Sequence, residues 1–162
     1  KLQEQYLFLV RHEIHNVVDL AATVENLTDK KKDASKEKSR VYRSKEKCSS
    51  IFELADAMQE IAPAENSYQK GDTFFEEEHQ QWILLSQQLE NEGYSLEEAE
   101  QLRAYYREQF SQVSRKEKAV FKELNLGKGI LKDILKDEDD RSREYELSKD
   151  KIIERDKKQP VR

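Results

Sequence analysis

The chain has 162 residues, 39% of them charged and 36% hydrophobic, and a formal net charge of −5. That excludes a thick globular core, and the overall charge repels nucleic acid. The lone Cys48 excludes an internal disulfide, no apolar run approaches the roughly 18 residues of a membrane span, and no signal-peptide pattern is present.

These absences point to a reducing, cytoplasmic setting without membrane insertion, in which the sequon at Asn26, Leu27 and Thr28 has no consequence. Gly and Pro are scarce, at four and two, and the dominant Glu, Lys, Gln, Leu, Ala and Arg lose little rotamer freedom in a helix. The expected fold is all-α: an elongated helical bundle or long antiparallel helical hairpin with coiled-coil character and a disordered C-terminal tail. A helical interaction domain over 1–136 is expected to precede a mobile charged tail over 137–162.

The chain opens on Lys-Leu-Gln-Glu-Gln-Tyr, without Met and already inside a helical apolar pattern, so a piece of a longer polypeptide is expected. Leu7, Val10, Ile14, Val17, Ala21, Val24 and Thr28 then alternate steps of three and four, which predicts one first helix with a seam against a partner helix. Over 29–47 the apolar pattern fades without Gly or Pro, predicting either a solvated helix or a frayed tip. Spacing resumes at Ile51, Phe52, Leu54, Ala55, Met58 and Ile61 and is expected to stop at Pro63, with a loop to about Gly71.

Asp72 reads as the N-cap of the next helix, with Glu76, Glu77 and Glu78 at the positive end of its dipole. Phe75, His79, Trp82, Ile83, Leu85 and Leu89 supply its buried stripe, and Gly93 suits a left-handed cap. Ser95 to Glu98 is a capping box that starts a third helix through Ala99, Leu102, Tyr106, Phe110, Val113, Val120, Phe121 and Leu124. Asn125 to Gly127 predicts a stop or kink before a short amphipathic piece with Ile130, Leu131, Ile134 and Leu135. Beyond Asp137 there is too little apolar material to offset ordering entropy.

Charge is segregated along the chain. Residues 29–52 carry nine positive and four negative side chains, 53–100 one and thirteen, and 101–136 nine and four. The plain reading places oppositely charged helices side by side, with surface pairs worth ~0–1 kcal/mol each. The sharper reading makes Lys30, Lys31, Lys32, Lys36, Lys38, Arg40, Arg43, Lys45 and Lys47 a DNA-contacting arm that neutralises phosphates without reading sequence, with Tyr42 stacking on an unpaired base.

The residues offer no convincing active site. His12 and His15 share a helix face at a spacing of three but lack further ligands, and His79 lies in an acidic stretch beside Trp82 where packing or capping explains it. Glu76, Glu77 and Glu78 are consecutive and point around a helix into water, and Cys48 near Lys45 and Lys47 has no His close in sequence. Gly127-Lys-Gly129 is too short for a phosphate loop. No metal, cofactor or small-molecule substrate is expected.

The run YQKGDTFFEEEHQQW (Tyr68 to Trp82) and the run YYREQFSQVSRKEKAVFKELNLGKGILKDIL (Tyr105 to Leu135) resemble the C-terminal region of relaxases of the mobilization-nuclease type, encoded by conjugative transposons and mobilisable plasmids of Gram-positive bacteria. The stretch ATVENLTDKKKDASKEKSRVYRSKEK looks like the same region, so the resemblance covers nearly the whole chain. It implies a parent that nicks one strand at an origin of transfer, attaches to it through a tyrosine and pilots it to the recipient, using an N-terminal nuclease domain with a histidine cluster. Two residues separate His12 from His15, where that cluster's motif is His-hydrophobe-His, and no strand pattern surrounds them.

No family catalytic residue therefore transfers to this chain. The expected role is non-catalytic: help in conjugative DNA mobilisation through protein contacts within a DNA-transfer complex, or self-association, with weak DNA binding by the basic arm. The alternative is a helical oligomerisation scaffold with no nucleic-acid role, using Leu7 through Val24 as an intermolecular seam.

Overall fold

Good helix formers and few breakers give the all-α architecture the composition predicts. The computed structural model describes residues 1–157. It has helices α1 (Leu2–Arg11), α2 (Val17–Glu46), α3 (Ser49–Gln69), α4 (Glu76–Asn91) and α5 (Leu96–Lys157), with one 3-10 turn at Thr73–Phe75 and no strand among the described residues. The chain forms two compact units, one of Lys1–Lys32 with the chain from Lys118 onward, the other Asp33–Glu117. No helix among the described residues is long and apolar enough to cross a membrane.

In the first unit the single helix expected from Leu7 to Thr28 is two. Glu13 takes a left-handed φ of 53°, and the chain restarts at a cap the hydrophobic spacing does not reveal. The Asn16 side chain accepts from the Asp19 amide at 2.8 Å, while the Asp19 carboxylate accepts from the His15 amide at 3.0 Å. This break resets the helical phase.

Phe8, Leu20, Leu27, Leu124 and Ile130 form the core, and Ile14 and Val24 pack against it, whereas Leu7, Val10, Val17 and Ala21 of the expected seam are exposed. Burying Phe8 alone contributes about 2–3 kcal/mol. Its ring reaches α5 at Gly127, where an added Cβ would meet Phe8 Cζ at 2.9 Å and Val24 Cγ2 at 3.1 Å. Gly127 thus serves close packing; α5 continues through it without the expected stop.

In the second unit the lower half of α2 is continuous helix to Glu46. Ala34 is buried and Val41, seven residues on, half-buried. Ser35 donates to Glu117 at 3.0 Å, Lys116 reaches Glu37 at 3.3 Å, and Arg103 reaches Asp56 at 2.6 Å. Because numbers rise on one side of these pairs as they fall on the other, α5 runs antiparallel to this part of α2 and to α3. Ile51, Ala55, Met58, Leu89 and Ala99 make the core, flanked by Phe52, Leu54, Trp82, Leu85 and Leu102.

Pro63 does not end its helix; α3 continues to Gln69 around it. Its ring is on the exposed side, where water can hydrate the Gln59 carbonyl that loses a donor. Packing against α4 through Met58 and Leu89 offsets the cost of the missing bond. Gly93 is left-handed and Ser95 Oγ accepts from the Glu98 amide at 3.1 Å, as expected; Asp72, expected to cap α4, instead caps the 3-10 turn by accepting from Phe74, and Phe75 holds the N-cap position of α4.

The expected boundary at residue 136 falls inside α5, and the segment read as a tail is helical to Lys157, with side chains 135–155 exposed. It holds no Gly or Pro before Pro160 and gains a helix-spaced pair, Asp139 with Arg143 at 3.2 Å, worth ~0.3–0.5 kcal/mol. The part of the expected tail over 158–162 lies outside the described residues.

The two helical glycines give opposite expectations. Gly127→Val should lower unfolding stability by about 1–3 kcal/mol through overpacking against Phe8 and Val24. Gly129→Ala, whose Cβ meets nothing within 4 Å, should raise stability by up to about 1 kcal/mol. Urea titration of both variants checks the pair.

Candidate nucleic-acid interface

One face of α2 packs and the opposite face is free, and this partitions the nine basic residues singled out in sequence. In the second unit Lys36, Arg40, Arg43 and Lys47 are exposed at steps of four, three and four, so they line up on the outward face. Lys47 lies just past the end of α2, but its amide still donates to the Arg43 carbonyl at 3.2 Å, which keeps it in helical register. The row is about 17 Å long at the helical rise per residue. Among the described residues none of the four has a carboxylate within ion-pair distance.

Lys38 and Lys45 instead turn inward and are half-buried, with Lys38 3.3 Å from Glu117 and 5.5 Å above the Phe110 ring. In the first unit Lys30 and Lys32 are exposed, and Lys31 sits 4.6 Å over Phe121. Cations over ring faces and beside carboxylates are already partnered, which withdraws Lys31 and Lys38 and leaves the row in the second unit, with Lys30 and Lys32 in the first, available to a polyanion.

Tyr42, 53% exposed, borders a groove of about 380 Å³ lined with Lys38, Ser39, Arg43 and Phe110. A second groove of about 360 Å³, on Lys45, Phe52, Asp56, Arg103, Arg107 and Phe110, shares the same ring. Sequence reasoning names Tyr42 but not Arg107 or Phe110 as part of this surface, because they lie more than sixty positions away on α5. The signal available was the Arg103-x-x-x-Arg107 spacing followed three residues later by Phe110.

Two of the three histidines make structural ring contacts. His12 Nε2 lies 2.8 Å from Glu123, which also accepts from Arg11 at 2.6 Å, so α1 is pinned to α5. His15 contributes its backbone amide to the Asp19 carboxylate. His79 Nδ1 donates to Glu65 at 2.8 Å, Gln69 donates to the other oxygen at 2.7 Å, and the imidazole stacks on Tyr68 with centroids 4.0 Å apart. Glu65 is the buried charged residue of this unit. A hydrogen bond to Glu76, then burial and the charges of Glu76 and Glu65, hold the Tyr68 phenol above its ordinary 10.0. Among the described residues no group of three or more His, Cys, Asp or Glu is placed to hold a metal ion.

Cys48 is half-buried, and the Tyr106 phenol is pushed up by burial first and by the neighbouring Cys48 thiol second. Glu76, Glu77 and Glu78 occupy the first turn of α4, as read from the sequence. Compared with known proteins, the chain matches no family model, no curated protein and no solved structure.

Two clusters generate measurable expectations. Burial raises the Glu123 carboxyl, but hydrogen bonds from His12 and Arg11 and their charges outweigh it and hold the group below its ordinary 4.5. Its contribution is therefore complete above 4.5 and lost as pH falls through the lower folded value. Thermal melts should show Glu123→Gln losing less stability than the parent over that acid window. His79→Ala strips the buried Glu65 of one of its two partners and should cost about 3 kcal/mol in denaturant unfolding; a cost near zero would mean the pair is not formed.

Proposed function

We propose that this chain is a non-catalytic helical domain, working in the cytoplasm as an accessory part of a conjugative-element relaxase, which makes protein contacts and touches DNA weakly through α2. The observation that carries the DNA contact is the row of Lys36, Arg40, Arg43 and Lys47, four exposed cations on one helix face without a carboxylate partner among the described residues. Such a row neutralises backbone charge without reading bases, so affinity is of non-specific strength, on the order of 10⁻⁴–10⁻⁶ M at physiological salt. The relaxase parent is supported by the strings quoted from Tyr68 to Trp82 and from Tyr105 to Leu135.

Protein contact is supported by a different surface. Leu2, Tyr6 and Val10 recur every four residues on α1 and are 81%, 65% and 56% exposed, with Leu7 beside them. This apolar face lies in the first unit, and it also serves the second reading, a helical scaffold with no nucleic-acid role.

Fluorescence anisotropy with labelled single-stranded and duplex DNA separates the two. The DNA reading expects binding at low salt that weakens steeply toward physiological salt, and loss of that binding when Lys36, Arg40, Arg43 and Lys47 are all changed to Glu. For the duplex the log–log salt slope should be shallower than about −4, since at most four phosphates are neutralised. Absence of binding at low salt, or binding unchanged in the quadruple variant with helical circular dichroism intact, sinks the DNA contact and leaves the scaffold.

A further inference from the structure

The short turn between α3 and α4 displays a large aromatic side chain in acidic surroundings. Phe74 is 83% exposed, the most exposed aromatic among the described residues. It is not loosely held: the Asp72 side chain accepts from its amide at 3.1 Å, and its ring meets Phe75 edge-on with centroids 5.2 Å apart. Asp72, Glu76 and Glu77, within three positions of it in the chain, are exposed carboxylates.

The same unit carries the complement of that surface. The groove on Lys45, Phe52, Asp56, Arg103, Arg107 and Phe110 combines three cations with two aromatic rings. Asp56 and the Phe52 carbonyl occupy the Arg103 guanidinium, at 2.6 and 3.0 Å. Arg107 is exposed and Lys45 half-buried, and neither has an ion-pair partner among the described residues. An aromatic flanked by carboxylates fits such a groove: the ring against Phe110 and Phe52, the carboxylates against Arg107 and Lys45.

The two surfaces of one molecule cannot meet. Phe52 is in the first turn of α3 and Phe74 follows its last, so about 25 Å of helix separates them. We propose that the occupant of the groove is a second copy of this chain, inserting Phe74 with Glu77 beside it. The contact is heterologous, one surface on each copy, so each molecule still offers a free groove or a free Phe74. Phe74 lies outside the DNA-contacting surface, whereas the groove adjoins it and shares Phe110 with the groove at Tyr42 and Arg43.

Sedimentation equilibrium of the full chain over a wide concentration range tests this, at low and physiological salt. The parent should gain mass with concentration, more so at low salt. Phe74→Ala and Arg107→Glu, both at exposed positions, should each weaken association roughly tenfold or more. The decisive arm is mixing: Phe74→Ala keeps an intact groove and Arg107→Glu an intact Phe74, so the mixture should recover a one-to-one dimer that neither forms alone. A parent that stays monomeric throughout, a Phe74→Ala chain that associates like the parent, or a mixture that stays monomeric overturns the proposal. Phe74→Ala should leave DNA anisotropy unchanged, which keeps failure of this contact distinguishable from failure of the DNA reading.

Discussion

Burial recurring every seven residues along α5 is the constraint on which both units depend. Ala99, Tyr106, Val113, Val120, Gly127 and Ile134 are all buried or half-buried, and so is the parallel series Arg103, Phe110, Glu117, Leu124 and Leu131. A chain with 36% hydrophobic residues cannot fill a thick core, so it buries one narrow stripe per helix and leaves the remainder to charge. The repeat tolerates departures where a neighbour compensates. At Glu117 a hydroxyl and an ammonium satisfy the carboxylate, and at Gly127 the missing side chain is replaced by the Phe8 ring. Small gains per residue, summed over long helices, hold such a structure together.

Two carboxylates at this thin core are saturated, whereas Glu100 Oε1 and Arg103 Nε are buried without a hydrogen-bond partner. Glu65 receives His79 and Gln69, and Glu123 receives Arg11 and His12. Both clusters join helices that are distant in sequence or separated by a turn, so they fix which faces meet as well as adding energy. Neither contains a nucleophile beside a base, an oxyanion-type donor pair or a metal-ligand set, and their geometry accounts for every histidine ring nitrogen placed within bonding distance of a carboxylate.

How much of this was legible in the sequence follows from the range of the interactions. Local chemistry reads well: Asp72, Gly93 and Ser95 act within four residues of themselves and take the roles their types predict. The break at Glu13 was hidden because Leu7, Val10, Ile14 and Val17 keep helical spacing across it, and only the Asn16–Asp19 cap could have exposed it. Pro63 and Gly127 mislead for the same reason, since each is decided by what lies across the helix: open solvent at Pro63, two apolar side chains at Gly127. The basic segment was legible as composition, but its division into an outward row and inward, partnered lysines depends on Glu117, Phe110 and Phe121 far along the chain. Arg107 and Phe110 were invisible as part of any surface until α5 was laid antiparallel to α2.

Segregation reconciles an acidic chain with the DNA contact proposed for the basic row. At physiological ionic strength the Debye length is about 8 Å, well short of the roughly 25 Å of α3 between the acidic turn and the basic groove. A polyanion at Lys36, Arg40, Arg43 and Lys47 is therefore governed by its near neighbours, and the carboxylates around Phe74 do not cancel that attraction. Lower salt strengthens the close contact but also extends the reach of the acidic block, so the long-range field of a chain with net charge −5 opposes the gain. The same screening lets one unit carry two oppositely charged surfaces, as the proposed contact between copies requires, with the length of α3 keeping them apart.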